Sequence, residues 1–176
     1  MQSRSDPGAD PGDGPDADPE TVARIVCLRL LAAAPRTKAQ LAAALGRRNV
    51  PEEAIRTVLD RFADVGLIDD DAYARAWVSS RHRGRGLAGR ALRHELRTRG
   101  VEADVIEAAV ADLDPATEQE TARSLVRRRL RQLDGVPREV AIRRLAGLLA
   151  RKGYPAGMAH DVVREELAGR DRSRSE

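Results

Sequence analysis

The chain has 176 residues, of which 34% are charged, 41% hydrophobic and only 2% aromatic, with one Cys and a formal net charge of +3. That length fits one domain or a short array, and an apolar share built on Ala and Leu suits interlocking helices and disfavours a β-sandwich. One Cys excludes a disulfide framework and a cysteine zinc site. The longest apolar run, Ile25–Ala34, is too short to span a bilayer and contains Arg29, so the expectation is a cytoplasmic protein with no membrane partner.

Residues 1–20 hold Arg4 against six acids and are crowded with Pro and Gly. Their balance is −5, so the rest of the chain carries +8. With almost nothing to bury, this segment reads as a disordered acidic tail, able to fold back over a basic body. The folded part is expected over 21–169, with a short charged tail at 170–176. Only Lys38 and Lys152 are Lys; the other 29 basic residues are Arg.

From residue 21 onward the apolar residues follow a helical period, and no alternating run marks a strand. The pattern also repeats. Leu41, Leu92 and Leu145 correspond, as do Leu45, Leu96 and Leu149, then Arg48, Arg99 and Lys152, then Asn49, Gly100 and Gly153. Asn or Gly at that last position fits a left-handed helix C-cap. The upstream residues Val26, Trp77 and Leu130 align at the same offsets. Each unit is therefore three helices, starting near Thr21, Asp70 and Thr117, near Thr37, Ala88 and Pro137, and near Pro51, Glu102 and Pro155. The fold class is all-α: three tandem three-helix repeats over 21–66, 67–113 and 114–169, expected to form an elongated, curved array.

Nothing in the chain resembles a catalytic centre, and no cofactor or metal is expected. Gly84, Gly86 and Gly89 spell G-x-G-x-x-G, but a dinucleotide loop needs a preceding strand, and the segment before this one is helical. The glycines read instead as an adjustable link beside a dense Arg cluster. His82, His94 and His160 are scattered without ligand spacing, and Cys27 lies on an apolar stripe. Tyr73 and Trp77, one turn apart, read as core of the second repeat.

The arginines are the candidate site. Residues 79–99 contain Arg81, Arg83, Arg85, Arg90, Arg93, Arg97 and Arg99 against Glu95 alone, and residues 121–131 contain Arg123, Arg127, Arg128, Arg129 and Arg131 with no acid. The third repeat adds Arg143, Arg144, Arg151 and Lys152. Equivalent helices presenting Arg in successive repeats would build a positive track for phosphates or an acidic protein surface. The same residues would also suit a plainly solvated face. Residues 37–70, taken alone, look like a winged-helix core, which would make the chain a stand-alone DNA-binding protein. A winged helix next requires a β-hairpin, whereas this sequence gives another helix and then repeats.

The segment Gly66–Val110 resembles the central signature of the RecX family of bacterial RecA regulators. Gly66, Leu67, Ile68, Asp69, Asp70, Tyr73, Ala74, Trp77 and Val78 match its first half; Leu92, Glu95, Leu96, Arg99, Gly100 and Val101 match its second. Arg85 stands where that family often has an aromatic residue, and the third repeat matches more loosely. The resemblance spans about residues 21–168. It implies a non-enzymatic cytoplasmic protein, expected as a monomer, that binds the RecA filament on single-stranded DNA. It also implies inhibition of RecA's recombinase, ATPase and co-protease activities, and so a role in recombination, DNA repair and the SOS response.

Overall fold

A computed structural model describes residues 18–173. These residues form nine helices and no strand. In chain order they are α1 (Pro19–Ala33), α2 (Lys38–Gly46), α3 (Glu52–Asp64), α4 (Asp70–Arg85), α5 (Gly89–Thr98), α6 (Ala103–Ala111), α7 (Pro115–Leu130), α8 (Arg138–Arg151) and α9 (Ala156–Ser173). The three-by-three order is that of the sequence repeat, and no β-hairpin follows Ile68.

Local signals set the boundaries. Asp18 caps α1 by accepting from Thr21 N (3.0 Å), with Pro19 as the first helical residue. Asp114 caps α7 in the same way through Thr117 N (2.9 Å), ahead of Pro115. This shared Asp-Pro-x-Thr cap starts both helices two residues before the expected Thr21 and Thr117, because a proline needs no amide partner in the first turn. Asp18, Pro19 and Glu20 therefore belong to the folded part, while the rest of the acidic leader lies outside the described residues. At the other end α9 runs past Gly169 to Ser173, held by an Arg138–Asp171 ion pair. Asn49, Gly100 and Gly153 each take a positive φ (58°, 73° and 91°), as the C-cap positions require.

The described residues divide into two compact units, 18–73 and 74–173. In the first, α1, α2 and α3 pack together over Ala23, Cys27, Leu41, Leu45, Val58, Leu59, Phe62 and Ile68. Thr37 and Gln40 form a reciprocal capping box at the start of α2, where Lys38 N also donates to Asp70 Oδ1 (3.0 Å). Asp70 thus serves α2, and Asp69 caps its own helix by accepting from Ala72 N (2.8 Å).

In the second unit, α7, α8 and α9 pack together over Val126, Leu130, Leu133, Leu145, Leu149, Tyr154, Val163 and Leu167. Helix α5 packs on α6, burying Leu92, Leu96, Ile106 and Val110. Long polar side chains tie α4 to its neighbours. His82 is buried, with Nδ1 facing Leu87 O at 2.9 Å and Nε2 facing Thr121 Oγ1 at 3.0 Å. Trp77 is not the core residue its spacing suggests. The guanidiniums of Arg81 and Arg99 lie over its half-buried ring, 4.0 and 3.6 Å from the centroid, while Nε1–H donates to Glu95 Oε2 (2.8 Å).

Candidate functional site

The candidate basic residues all lie in the second unit, and the structure sorts them by what each one touches. Several are occupied within the protein. Arg81 pairs with Glu95 at 3.5 Å besides stacking on Trp77, and Arg99 stacks on the same ring. Arg93 Nε meets both oxygens of Glu107 on α6 at 2.9 Å. Arg123 bonds Glu165 (3.0 Å) and Arg127 bonds Glu166 (2.9 Å), both reaching from α7 to α9, and Glu120 lies against both. These ion pairs hold the guanidiniums of Arg123 and Arg127 more firmly protonated, their pKa pushed up by the facing glutamates. Individually such part-exposed pairs contribute little stability, but each fixes an arginine toward a neighbouring helix.

The other candidates have no carboxylate partner among the described residues. Arg83, Arg85, Arg97, Arg128, Arg131, Arg143, Arg144 and Arg151 are exposed. Arg90, also exposed, reaches from α5 to the carbonyl of Ala150 near the end of α8 (3.1 Å).

The link between α4 and α5 is flanked by two of these residues, Arg85 and Arg90, and it is pinned, contrary to the adjustable loop its glycines suggest. Lys152, the C-cap of α8, donates its ammonium to Arg85 O and accepts Ala88 N–H on its own carbonyl (2.9 Å). Tyr154 donates to Gly86 O (3.2 Å) from a buried position. Gly89 N–H donates to Glu118 on α7 (2.9 Å). Gly86 has φ +61°, and a Cβ there would lie 2.9 Å from Leu125 Cδ1. Gly153 comes so close to Ala91 that a Cβ would lie 2.5 Å from its backbone nitrogen. The glycines here permit close approach, not motion. The third repeat therefore holds still the link between α4 and α5, the two helices that carry most candidate arginines of the second repeat.

Three family models match the chain in tandem: RecX first three-helix domain over residues 23–62, second over 69–110 and third over 116–163. A "Regulatory protein RecX" of Thermobifida fusca is 57% identical over 170 residues, covering 95% of this chain and 92% of its own. The chain belongs to the RecX family. A relative of the same name from Streptomyces coelicolor is 60% identical over 153 residues, covering 87% of this chain and 81% of its own. The crystal structure of RecX from Lactobacillus salivarius superposes with a TM-score of 0.80 at 16% identity, covering 86% of this chain and 98% of that one, which supports the fold. In RecX terms, the pinned loop belongs to the second domain and the turn that pins it, Lys152–Pro155, to the third. Arg85, at the point where the sequence departs from the family pattern, forms the C-terminal residue of α4.

Sequence reasoning missed His82 and Tyr154, which join distant segments, His82 through Thr121 Oγ1 and Tyr154 through Gly86 O, while His82 also faces the nearby Leu87 O. Burial of a histidine and a tyrosine on otherwise apolar faces left a faint signal, but their partners are a distant hydroxyl and loop carbonyls that no residue pattern specifies.

Proposed function

We propose that this RecX-family protein is a cytoplasmic, monomeric, non-enzymatic regulator that binds the RecA filament on single-stranded DNA and lowers RecA's ATPase, recombinase and co-protease activities. The observation that carries the reading is the set of exposed arginines with no carboxylate partner among the described residues, spread over the second and third domains, from Arg83, Arg85 and Arg97 through Arg128 and Arg131 to Arg143, Arg144 and Arg151. Of the residues proposed for filament contact, these are the ones available to it. Arg81, Arg93, Arg99, Arg123 and Arg127 instead hold the helices that display them, with Arg90 and Lys152 doing both. A polymer of protein acids and DNA phosphates offers matching charge along its length. Few aromatic residues are exposed, so the contact is to charge and not to stacked bases. Membership in a family named for regulation favours this over a free-standing DNA-binding role.

The test is RecA ATPase on single-stranded DNA, measured against increasing amounts of this protein. Inhibition at substoichiometric amounts is expected. Tight binding to bare DNA with the ATPase unchanged would overturn the reading.

A further inference from the structure

Basic residues from three different elements flank Gly86. Lys152, at the end of α8, has its ammonium on the carbonyl of Arg85 at the end of α4. On α7, Leu125 lies against Gly86, and Arg128 follows one turn later on the same side of that helix. Burial, then the charges of Arg128 and Arg85, hold the Lys152 ammonium below its ordinary pKa. None of the three makes an ion pair with a carboxylate among the described residues, although Arg81, Arg93, Arg123 and Arg127 nearby all do.

Gathering like charges without a counter-charge works against folding, and here the elements that bring them together are fixed. Ala88 N–H on Lys152 O, Tyr154 Oη–H on Gly86 O and the contact of Gly153 with Ala91 fix the approach of the α8–α9 turn to the loop. We propose that Arg85, Arg128 and Lys152 together form a binding site for a phosphate group. The Lys152 ammonium spends one donor on Arg85 O and keeps two, and both guanidiniums keep their forks. A carboxylate is satisfied by a single arginine, as Glu107 is by Arg93. Three cations around one point suit an anion whose oxygens point in several directions. The phosphate is that of a nucleic-acid backbone or of a free polyphosphate. In the first case the site gives the filament reading its direct DNA contact, and to that extent rests on it.

The experiment is fluorescence anisotropy with a labelled oligothymidylate, with sodium triphosphate as competitor, on the full chain without RecA. The variant is Arg85→Glu with Arg128→Glu. Its control, matched in net charge, is Arg47→Glu with Arg56→Glu, both exposed residues of the first unit. Far-UV circular dichroism checks folding, and Arg128→Gln serves as a milder second variant. The expected result is a loss of oligonucleotide affinity of about tenfold for each arginine, and a salt dependence shallower by roughly 0.7 for each contact removed, neither seen in the control. Displacement by triphosphate, but not by chloride of equal ionic strength, would assign the site to free phosphates as well; no displacement assigns it to the strand. If test and control variants bind both probes alike, the site does not exist. A variant that keeps phosphate binding but no longer inhibits RecA overturns the phosphate site and leaves the filament reading standing. A wild-type protein that never inhibits RecA, with a variant that loses the oligonucleotide, does the reverse.

Discussion

Gly153→Ala measures how firmly the third domain holds the loop of the second. At φ +91° an alanine is strained by about 1–2 kcal/mol before any neighbour is considered. Its Cβ would also lie 2.5 Å from Ala91 N and 2.7 Å from Ala91 Cβ. Neither atom can turn aside as a flexible side chain would, so the α8–α9 turn must withdraw from the first turn of α5. Withdrawal weakens three hydrogen bonds, Ala88 N to Lys152 O, Lys152 Nζ to Arg85 O and Tyr154 Oη to Gly86 O, each contributing about 1 kcal/mol. Together these reach a loss of roughly 4–5 kcal/mol in the second unit. Gly66→Ala is the comparison: its φ is +72°, but an added Cβ meets nothing within 4 Å, so only the backbone strain of about 1–2 kcal/mol applies. Urea unfolding followed by circular dichroism measures both variants, and emission from Trp77, the only tryptophan, follows the second unit alone. If the two variants were destabilised equally, the close approach would contribute nothing and the loop would not be pinned.

Two further outcomes follow from side chains described above. Trp77→Ala removes two cation–π contacts of about 0.5–1 kcal/mol each and a hydrogen bond to a charged acceptor of about 1.5–3 kcal/mol, so urea unfolding should show a loss near 3 kcal/mol; a loss below about 1 kcal/mol would mean the ring only covers surface. In the first unit, burial pushes the Cys27 thiol up to about 11 from its ordinary 9.0. The folded state therefore keeps its proton when the unfolded chain has released it. Stability from this group is complete below pH 9 and declines as pH rises toward about 11, a slope that Cys27→Ala should lack; equal slopes from urea midpoints would refute the assignment.

The repeat was legible because its signals are local. A residue able to take positive φ recurs at 49, 100 and 153 beside matching leucines, and each marks a helix end that the structure places two or three residues before it. Helix starts at Pro19 and Pro115 were displaced only by the Asp-Pro cap. Which arginines are available was not legible, for a physical reason. Charge counted along the chain finds no acid between Thr121 and Arg131, yet Arg123 and Arg127 are paired with Glu165 and Glu166 some forty residues away. Local charge balance describes a helix, whereas neutralisation happens between helices. The glycine loop misled for the same reason: glycine in a sequence permits motion, and only its neighbours reveal whether that freedom has been used for contact.

A surface turn ordinarily absorbs insertions and deletions where they occur. The turn Lys152–Pro155 does not have that latitude, since its residues are bonded to Arg85, Gly86 and Ala88. Adding or removing one residue there would change the spacing between Lys152 and Tyr154, which grip adjacent carbonyls. The damage would surface in the second domain, more than sixty residues earlier in the chain, as misplaced arginines. Lengthening the third domain at this point is thus a way to retune the second.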